Sequence, residues 1–125
     1  MGSHGRGSAV LLLMFFVLIN FQWRSVEGRV YKVGGSQGWG FLSYQKFSSV
    51  KYKAGDSLLF IYPRYIHDVA QVGSLKDYTN CVVSKGAKRY TSGKDKIDLK
   101  KGWNYFICSV PGHCSSGMKL KVQAF

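Results

Sequence analysis

Acidic residues are scarce in this chain of 125 residues, which has 6 Asp and Glu against 18 Lys and Arg and a formal net charge of +12. This basic excess predicts an acidic partner or an acidic surrounding matrix. Only 19% of the residues are charged and 46% are hydrophobic, which excludes a disordered polyelectrolyte and a membrane-embedded bundle. The length suits one compact domain and excludes a multidomain enzyme.

The sequence also lacks an apolar run long enough to cross a membrane. The run at residues 9–19 has about half of the ~20 residues that a transmembrane helix needs. Because it follows Arg6 and precedes a polar segment, it is typical of a secretory signal peptide. We predict a signal peptide at residues 1–28 and a mature domain at residues 29–125. No lipid-anchor signal and no Asn-x-Ser/Thr triplet occur, so we expect a secreted, soluble product without a membrane anchor or N-glycan.

Short stretches that alternate apolar and polar residues dominate the mature domain, as half-buried strands do. They lie at residues 30–33, 57–62, 103–108 and 118–123, with glycine-containing turn signals between them. Ser74 followed by Asp77 is typical of a helix N-cap, so a short helix is predicted from about Leu75 towards Asn80. These patterns together predict an all-β sandwich or barrel with one or two short helices.

An odd cysteine and a regular spacing of donor residues suggest a metal site. Three cysteines allow at most one internal disulfide. Cys108, His113 and Met118 follow one another at intervals of five positions around a turn, and His67 is the only other histidine in the predicted mature domain. Two imidazoles, a thiolate and a thioether favour copper, whereas structural zinc sites are built from Cys and His without Met.

Each of these residues also has a simpler interpretation when it is taken alone. His67 is then a surface or core histidine, His113 an exposed loop residue and Met118 the first core residue of a strand. Cys108 can pair with either of the other two cysteines. If copper takes Cys108, then Cys81 and Cys114 remain to form one disulfide in the oxidising secretory route. The sequence alone leaves the other pairings open.

Several motifs together resemble the phytocyanins of plants, in particular the basic plantacyanin branch. They are His67, Cys108-Ser-Val-Pro-Gly-His113-Cys114, Met118, Cys81, Val33-Gly34-Gly35, Gly38-Trp39, Ala54-Gly55-Asp56 and the segment at residues 86–95. The resemblance implies a cupredoxin-like Greek-key β-sandwich with one type 1 copper ion. It also implies His67, Cys108 and His113 as equatorial ligands, Met118 as the axial ligand, and a disulfide between Cys81 and Cys114.

Two positions refine the resemblance. Met118 separates this chain from the stellacyanin branch, whose axial ligand is Gln, and from the early-nodulin-like branch, which lacks a complete ligand set. Asp68 departs from the pattern, because related copper proteins often have Asn after the first ligand histidine. We expect this carboxylate to lose an amide donor to the neighbouring loop and to alter the hydrogen bonding around the ligands.

We expect a secreted one-electron carrier that acts as a monomer in the apoplast or cell wall with a redox partner of unknown identity. We do not expect an enzyme, because a set of four ligands leaves no open position for a substrate. His113 is then the expected solvent-facing edge for electron transfer. The alternative function is a cell-wall-binding or signalling protein in which copper is mainly structural. The basic charge favours an acidic cell-wall polysaccharide or a receptor as a further partner. It does not favour nucleic acid, since no nucleic-acid motif is present.

Overall fold

A computed structural model describes residues 28–41 and 45–125 of this chain. Its elements are β1 (Val30–Lys32), a 3-10 helix (Gly35–Gln37), α1 (Gln45–Ser48), β2 (Ser57–Ile61), β3 (Val69–Val72), α2 (Leu75–Asn80), β4 (Lys88–Tyr90), β5 (Lys94–Asp98), β6 (Gly102–Ile107) and β7 (Lys119–Ala124). The predicted signal peptide lies outside the described residues, except for Gly28. Within the described part of the chain, no helix is long and apolar enough to cross a membrane.

The strands form two sheets, so the predicted all-β fold with short helices is confirmed. One sheet has the order β1-β2-β5, with β1 parallel to β2 and β2 antiparallel to β5. The other has the order β4-β3-β6-β7 and is antiparallel throughout. The connections from β2 to β3, from β4 to β5 and from β5 to β6 pass from one sheet to the other. This topology places β3 beside β6 and β7 although β3 is far from both in sequence.

An aromatic core fills the space between the sheets. Phe60 lies between Trp39 and Phe106, with both pairs of ring centroids 5.1 Å apart. The indole nitrogen of Trp39 donates a hydrogen bond of 2.9 Å to the backbone carbonyl of Asp68. Strand β7 alternates as predicted, because Leu120, Val122 and Ala124 are buried while the residues between them are partly exposed. The core therefore anchors the segment that leads into β3.

The opposite face of the four-stranded sheet is covered by α2. Ser74 caps this helix through a hydrogen bond of 3.1 Å from the backbone N–H of Asp77 to its hydroxyl oxygen, as the sequence predicts. A disulfide between Cys81 and Cys114 joins the end of the helix to the loop before β7. A second apolar cluster packs beneath the helix and consists of Ala70, Val72, Ile107 and Cys114.

Candidate metal centre

The four predicted ligands lie at the adjacent ends of β3, β6 and β7. His67 precedes β3, Cys108 directly follows β6, and Met118 directly precedes β7. His113 lies in the connection between β6 and β7. Because these strands are neighbours in one sheet, the topology brings His67 to the Cys108–Met118 loop in spite of its distance in sequence.

Backbone hydrogen bonds hold the loop between β6 and β7 closed. The N–H of Cys108 donates to the carbonyl of Met118 at 3.1 Å, and the N–H of Met118 donates to the carbonyl of His113 at 3.0 Å. Gly112 makes the turn before His113 with a φ of +83°, a conformation that residues with a Cβ rarely adopt. Cys108 and Met118 are fully buried and are thus fixed by the core. The local spacing of the donor residues therefore corresponds to one tight loop.

The donor atoms of His67, Cys108 and His113 all lie within 4.8 Å of one another. The Nδ1 atoms of the two imidazoles are 3.1 Å apart, and His113 Nδ1 lies 3.5 Å from the sulfur of Cys108. Two ring nitrogens and a sulfur that converge in this way fit a cation that accepts both imidazole and thiolate ligands. This donor set, beside the buried thioether residue Met118, suits copper.

The protonation states of the site also fit a metal ion. Burial lowers the pKa of His67, and the adjacent His113 acts in the same direction, which favours the neutral imidazole that a metal needs. Burial raises the pKa of Cys108, so the thiol keeps its proton when no cation is near. A bound cation reverses this preference, because a coordinated thiol is deprotonated.

Asp68 connects the two sides of the site. Its carboxylate is buried and accepts hydrogen bonds from the backbone N–H of Ser109, at 2.6 Å, and from the Ser109 hydroxyl group. Since Asp68 follows His67 and Ser109 follows Cys108, these bonds couple two predicted ligands. The link to the neighbouring loop is therefore present, with Ser109 as the donor and the carboxylate as the acceptor.

Arg89 compensates the buried charge of Asp68. Its Nε donates to the carboxylate at 2.8 Å, although 60% of the arginine side chain is exposed. Burial alone would raise the pKa of Asp68, but the hydrogen bonds from Ser109 and the charge of Arg89 together lower it. Sequence reasoning missed Arg89. The one signal for such a partner was Asp68 itself, an acidic residue next to the predicted ligand His67.

An apolar rim surrounds the two histidines, which are only partly buried. The ring of Phe41 lies edge-on to both imidazoles, with centroids 4.8 Å from His113 and 5.7 Å from His67. Phe41 itself is about half exposed, and Tyr65 and Ile66, the two residues before His67 in the chain, are also exposed. Sequence reasoning did not identify Phe41. The rim gives the site an open, apolar edge at the imidazoles, while the thiol is sealed in the core.

The cysteine pairing leaves Cys108 available as a ligand. Cys81 and Cys114 form the disulfide that the resemblance implies, and Cys108 is a free, buried thiol. The alternative pairings through Cys108 are therefore wrong. Because Cys114 follows His113 directly, the disulfide also tethers the ligand loop to α2.

Comparisons with known proteins agree with this geometry. A family model of the plastocyanin-like domain matches residues 39–118, a range that includes the four predicted ligands and both disulfide cysteines. The chain is 42% identical to the basic blue protein of Arabidopsis thaliana over 98% of each chain. Among solved structures, cucumber basic protein, a blue copper protein, is similar to this chain with a TM-score of 0.72 and 47% sequence identity. The match covers 77% of this chain and 99% of the cucumber chain. Spinach plantacyanin is 40% identical over 77% of this chain and 99% of its own, with a TM-score of 0.67.

Proposed function

This chain belongs to the plastocyanin-like family, and we propose that it binds one type 1 copper ion and carries single electrons between redox partners. The observation that carries this proposal is the convergence of two imidazoles and one buried thiol within 4.8 Å. Bound copper supplies a one-electron couple between Cu(I) and Cu(II), and a mixed set of soft sulfur and borderline nitrogen donors suits both oxidation states.

We assign His67, Cys108, His113 and Met118 as the ligands. Cys108 and Met118 are held by the strand ends and their shared hydrogen bond of 3.1 Å, so their backbones need not move when an electron is gained or lost. Asp68 keeps the His67 and Cys108 segments in register through Ser109. The protein thus supplies a rigid frame, which limits rearrangement of the site.

His113 is the proposed edge for electron entry and exit. It is partly exposed within the apolar rim formed by Phe41, Tyr65 and Ile66. An apolar rim favours brief contacts of small area, which suit transient redox encounters. The guanidinium of Arg64, 5.1 Å from the ring centroid of Tyr65, adds a positive charge at its border. With four protein donors the site has no evident position for a substrate, and we therefore expect no enzymatic activity.

We further propose that the protein is secreted to the apoplast or cell wall after removal of residues 1–28, and that it acts there as a monomer without a membrane anchor. The short apolar run at residues 9–19 and the disulfide between Cys81 and Cys114 support an oxidising, extracellular route.

Optical and electron-spin-resonance spectra of the copper-loaded protein test the site. We expect an intense blue absorption from the thiolate–copper bond that Cys108→Ser abolishes and that the exposed loop variant Ser116→Ala retains. Reversible bleaching by a one-electron reductant is expected as well. Unchanged absorption in Cys108→Ser would reject the assigned ligand. A Cys108→Ser protein that is redox-silent but fully active in the plant would favour the mainly structural role of copper.

A further inference from the structure

A basic groove lies at the end of the sandwich opposite the metal centre. It has a volume of about 480 Å³, within the range of small-molecule sites. One wall is formed by residues 84–88, which lead into β4, the other by residues 100–104, which lead into β6, and the end of β3 lies between them. Trp103 on β6 and Cys108, which directly follows β6, are five residues apart, roughly 16 Å along an extended chain.

Lysines line both walls of this groove. Lys85 and Lys88 lie on one side and Lys100 and Lys101 on the other, and all four are exposed. None of them forms an ion pair with a carboxylate among residues 28–41 and 45–125. The one acidic lining residue, Asp77, already accepts a hydrogen bond of 2.8 Å from Ser84. With four lysines against one carboxylate, the groove presents a net positive charge on two sides of one cleft.

An exposed tryptophan lies beside these lysines. Half of Trp103 is accessible to solvent, whereas Trp39 is buried. The ammonium group of Lys121 lies 5.7 Å from the Trp103 ring centroid and adds a further positive charge next to the indole. Exposure of a large aromatic surface to water is unfavourable, and at a binding site the indole offers an apolar ring face together with an N–H donor.

We infer that this groove binds an acidic oligosaccharide, with a sugar ring on Trp103 and uronate carboxylates on the flanking lysines. A pyranose ring has an apolar C–H face and a polar edge, which matches an indole bordered by ammonium groups. Single-stranded nucleic acid is a poorer fit, because such sites stack successive bases on several aromatic side chains, and one tryptophan lines this groove. This binding site is independent of the electron-carrier role and would tether the protein without covering His113.

Calorimetric titration of the copper-loaded protein with a short oligogalacturonate tests the inference. We expect binding that weakens at least about fivefold in Trp103→Ala, a loss that only a minority of interface residues cause when they are truncated to alanine. The double variant Lys100→Ala/Lys101→Ala should lose as much. Only the backbone of Lys100 is bonded to Asn104, so these substitutions leave the turn intact.

The matched control is Lys94→Ala/Lys96→Ala, which removes the same charge from exposed positions on β5 in the other sheet. It should keep its affinity within about twofold, the residual effect of net charge alone. All variants should retain the blue absorption, so failure of this inference is distinguishable from failure of the copper proposal.

Four results would overturn the inference. They are no measurable binding, equal affinity for polyglutamate of matched charge, equal losses in the two lysine double variants, and tighter binding of a single-stranded oligonucleotide that also depends on Trp103. Trp103→Phe keeps an aromatic platform and should restore much of the affinity. If it binds as weakly as Trp103→Ala, the stacking role of the ring is wrong.

Discussion

The two ends of the sandwich are built differently. At the metal end, the buried carboxylate of Asp68 is neutralised by Arg89, the disulfide ties down the ligand loop, and the exposed rim is apolar. At the other end, four exposed lysines without ion pairs among the described residues border a groove. The positive charge of the chain is thus distributed unevenly between the two ends. The metal end has a paired buried acid and an apolar edge at the imidazoles, and the other end carries several exposed positive charges that are available to a ligand.

The largest expected effect is the loss of stability on removal of the disulfide at the metal end. The disulfide closes a loop of 33 residues, and the chain-entropy estimate for this loop is roughly 4 kcal/mol. We expect Cys81→Ser/Cys114→Ser to lower the free energy of unfolding by about this amount in denaturant titrations. The control at the groove end is Lys85→Ala, which should stay within about 0.5 kcal/mol of the parent protein. Similar losses in the two variants would contradict the contrast between the ends.

The second prediction separates charge from structure at the Asp68–Arg89 pair. Arg89→Met removes a cation near the metal and should lower the reduction potential, because a nearby positive charge destabilises Cu(II) more than Cu(I). Asp68→Asn removes an anion, keeps an acceptor for Ser109 and should raise the potential. Shifts on the order of tens of millivolts in opposite directions are expected for single charges at this range.

Protein-film voltammetry measures these shifts in both variants. The control is Lys94→Ala, which removes an exposed cation from β5. Lys94→Ala should change the potential much less, since Lys94 is a solvent-screened charge, whereas Arg89 contacts the buried carboxylate that links the His67 and Cys108 segments. Shifts of the same sign for Arg89→Met and Asp68→Asn would indicate that disturbed ligand geometry, and not charge, determines the effect. That result would also contradict the view that the pairing of Asp68 with Arg89 sets the electrostatic environment of the metal end.

The ligand loop could be predicted from the sequence because its information is local. Cys108, His113 and Met118 lie on one short segment, and the turn signal at Gly112 shows how the chain bends between them. The cap at Ser74 and the alternation of β7 are local signals too. His67 required an argument by elimination, since its approach to Cys108 depends on the antiparallel pairing of β3 with β6.

The parts that escaped prediction depend on contacts between distant segments. Strand β3 is buried on both faces, so it shows no alternation. Strand β5 alternates between exposed and buried residues, but one of its buried residues is Asp95, which accepts hydrogen bonds from Tyr62 and Ser92. Because this buried position is polar, the sequence of β5 does not show the alternation of apolar residues that indicates a strand. Arg89 reaches Asp68 only because β4 pairs with β3 so that Arg89 lies opposite Ala70. Register of this kind is a tertiary property that local patterns do not specify.

A smaller loss of stability than that from the disulfide is expected for an acid at the groove end of the sandwich. Asp56 precedes β2, and its buried carboxylate accepts backbone hydrogen bonds from Lys53, at 2.8 Å, and from Arg29, at 2.9 Å. The bond from Lys53 is the largest influence that lowers the pKa of Asp56, and burial partly opposes it. This carboxylate organises the turn into β2, so the groove end also has one internally satisfied acid.

A lowered pKa in the folded state fixes the sign of the pH dependence. Asp56 stabilises the fold fully above its unfolded pKa of about 3.9, and this contribution is lost as the pH falls through the lower folded pKa. Asp56→Asn should therefore lower stability by about 1–3 kcal/mol at neutral pH and narrow its difference from the parent protein below about pH 4. Urea titrations between neutral pH and the acid limit measure this difference. A gap that stays constant with pH would mean that the turn needs the shape of the side chain and not its charge. In that case the groove end would owe nothing to an ionised acid, and the contrast with the Asp68-centred metal end would be sharper.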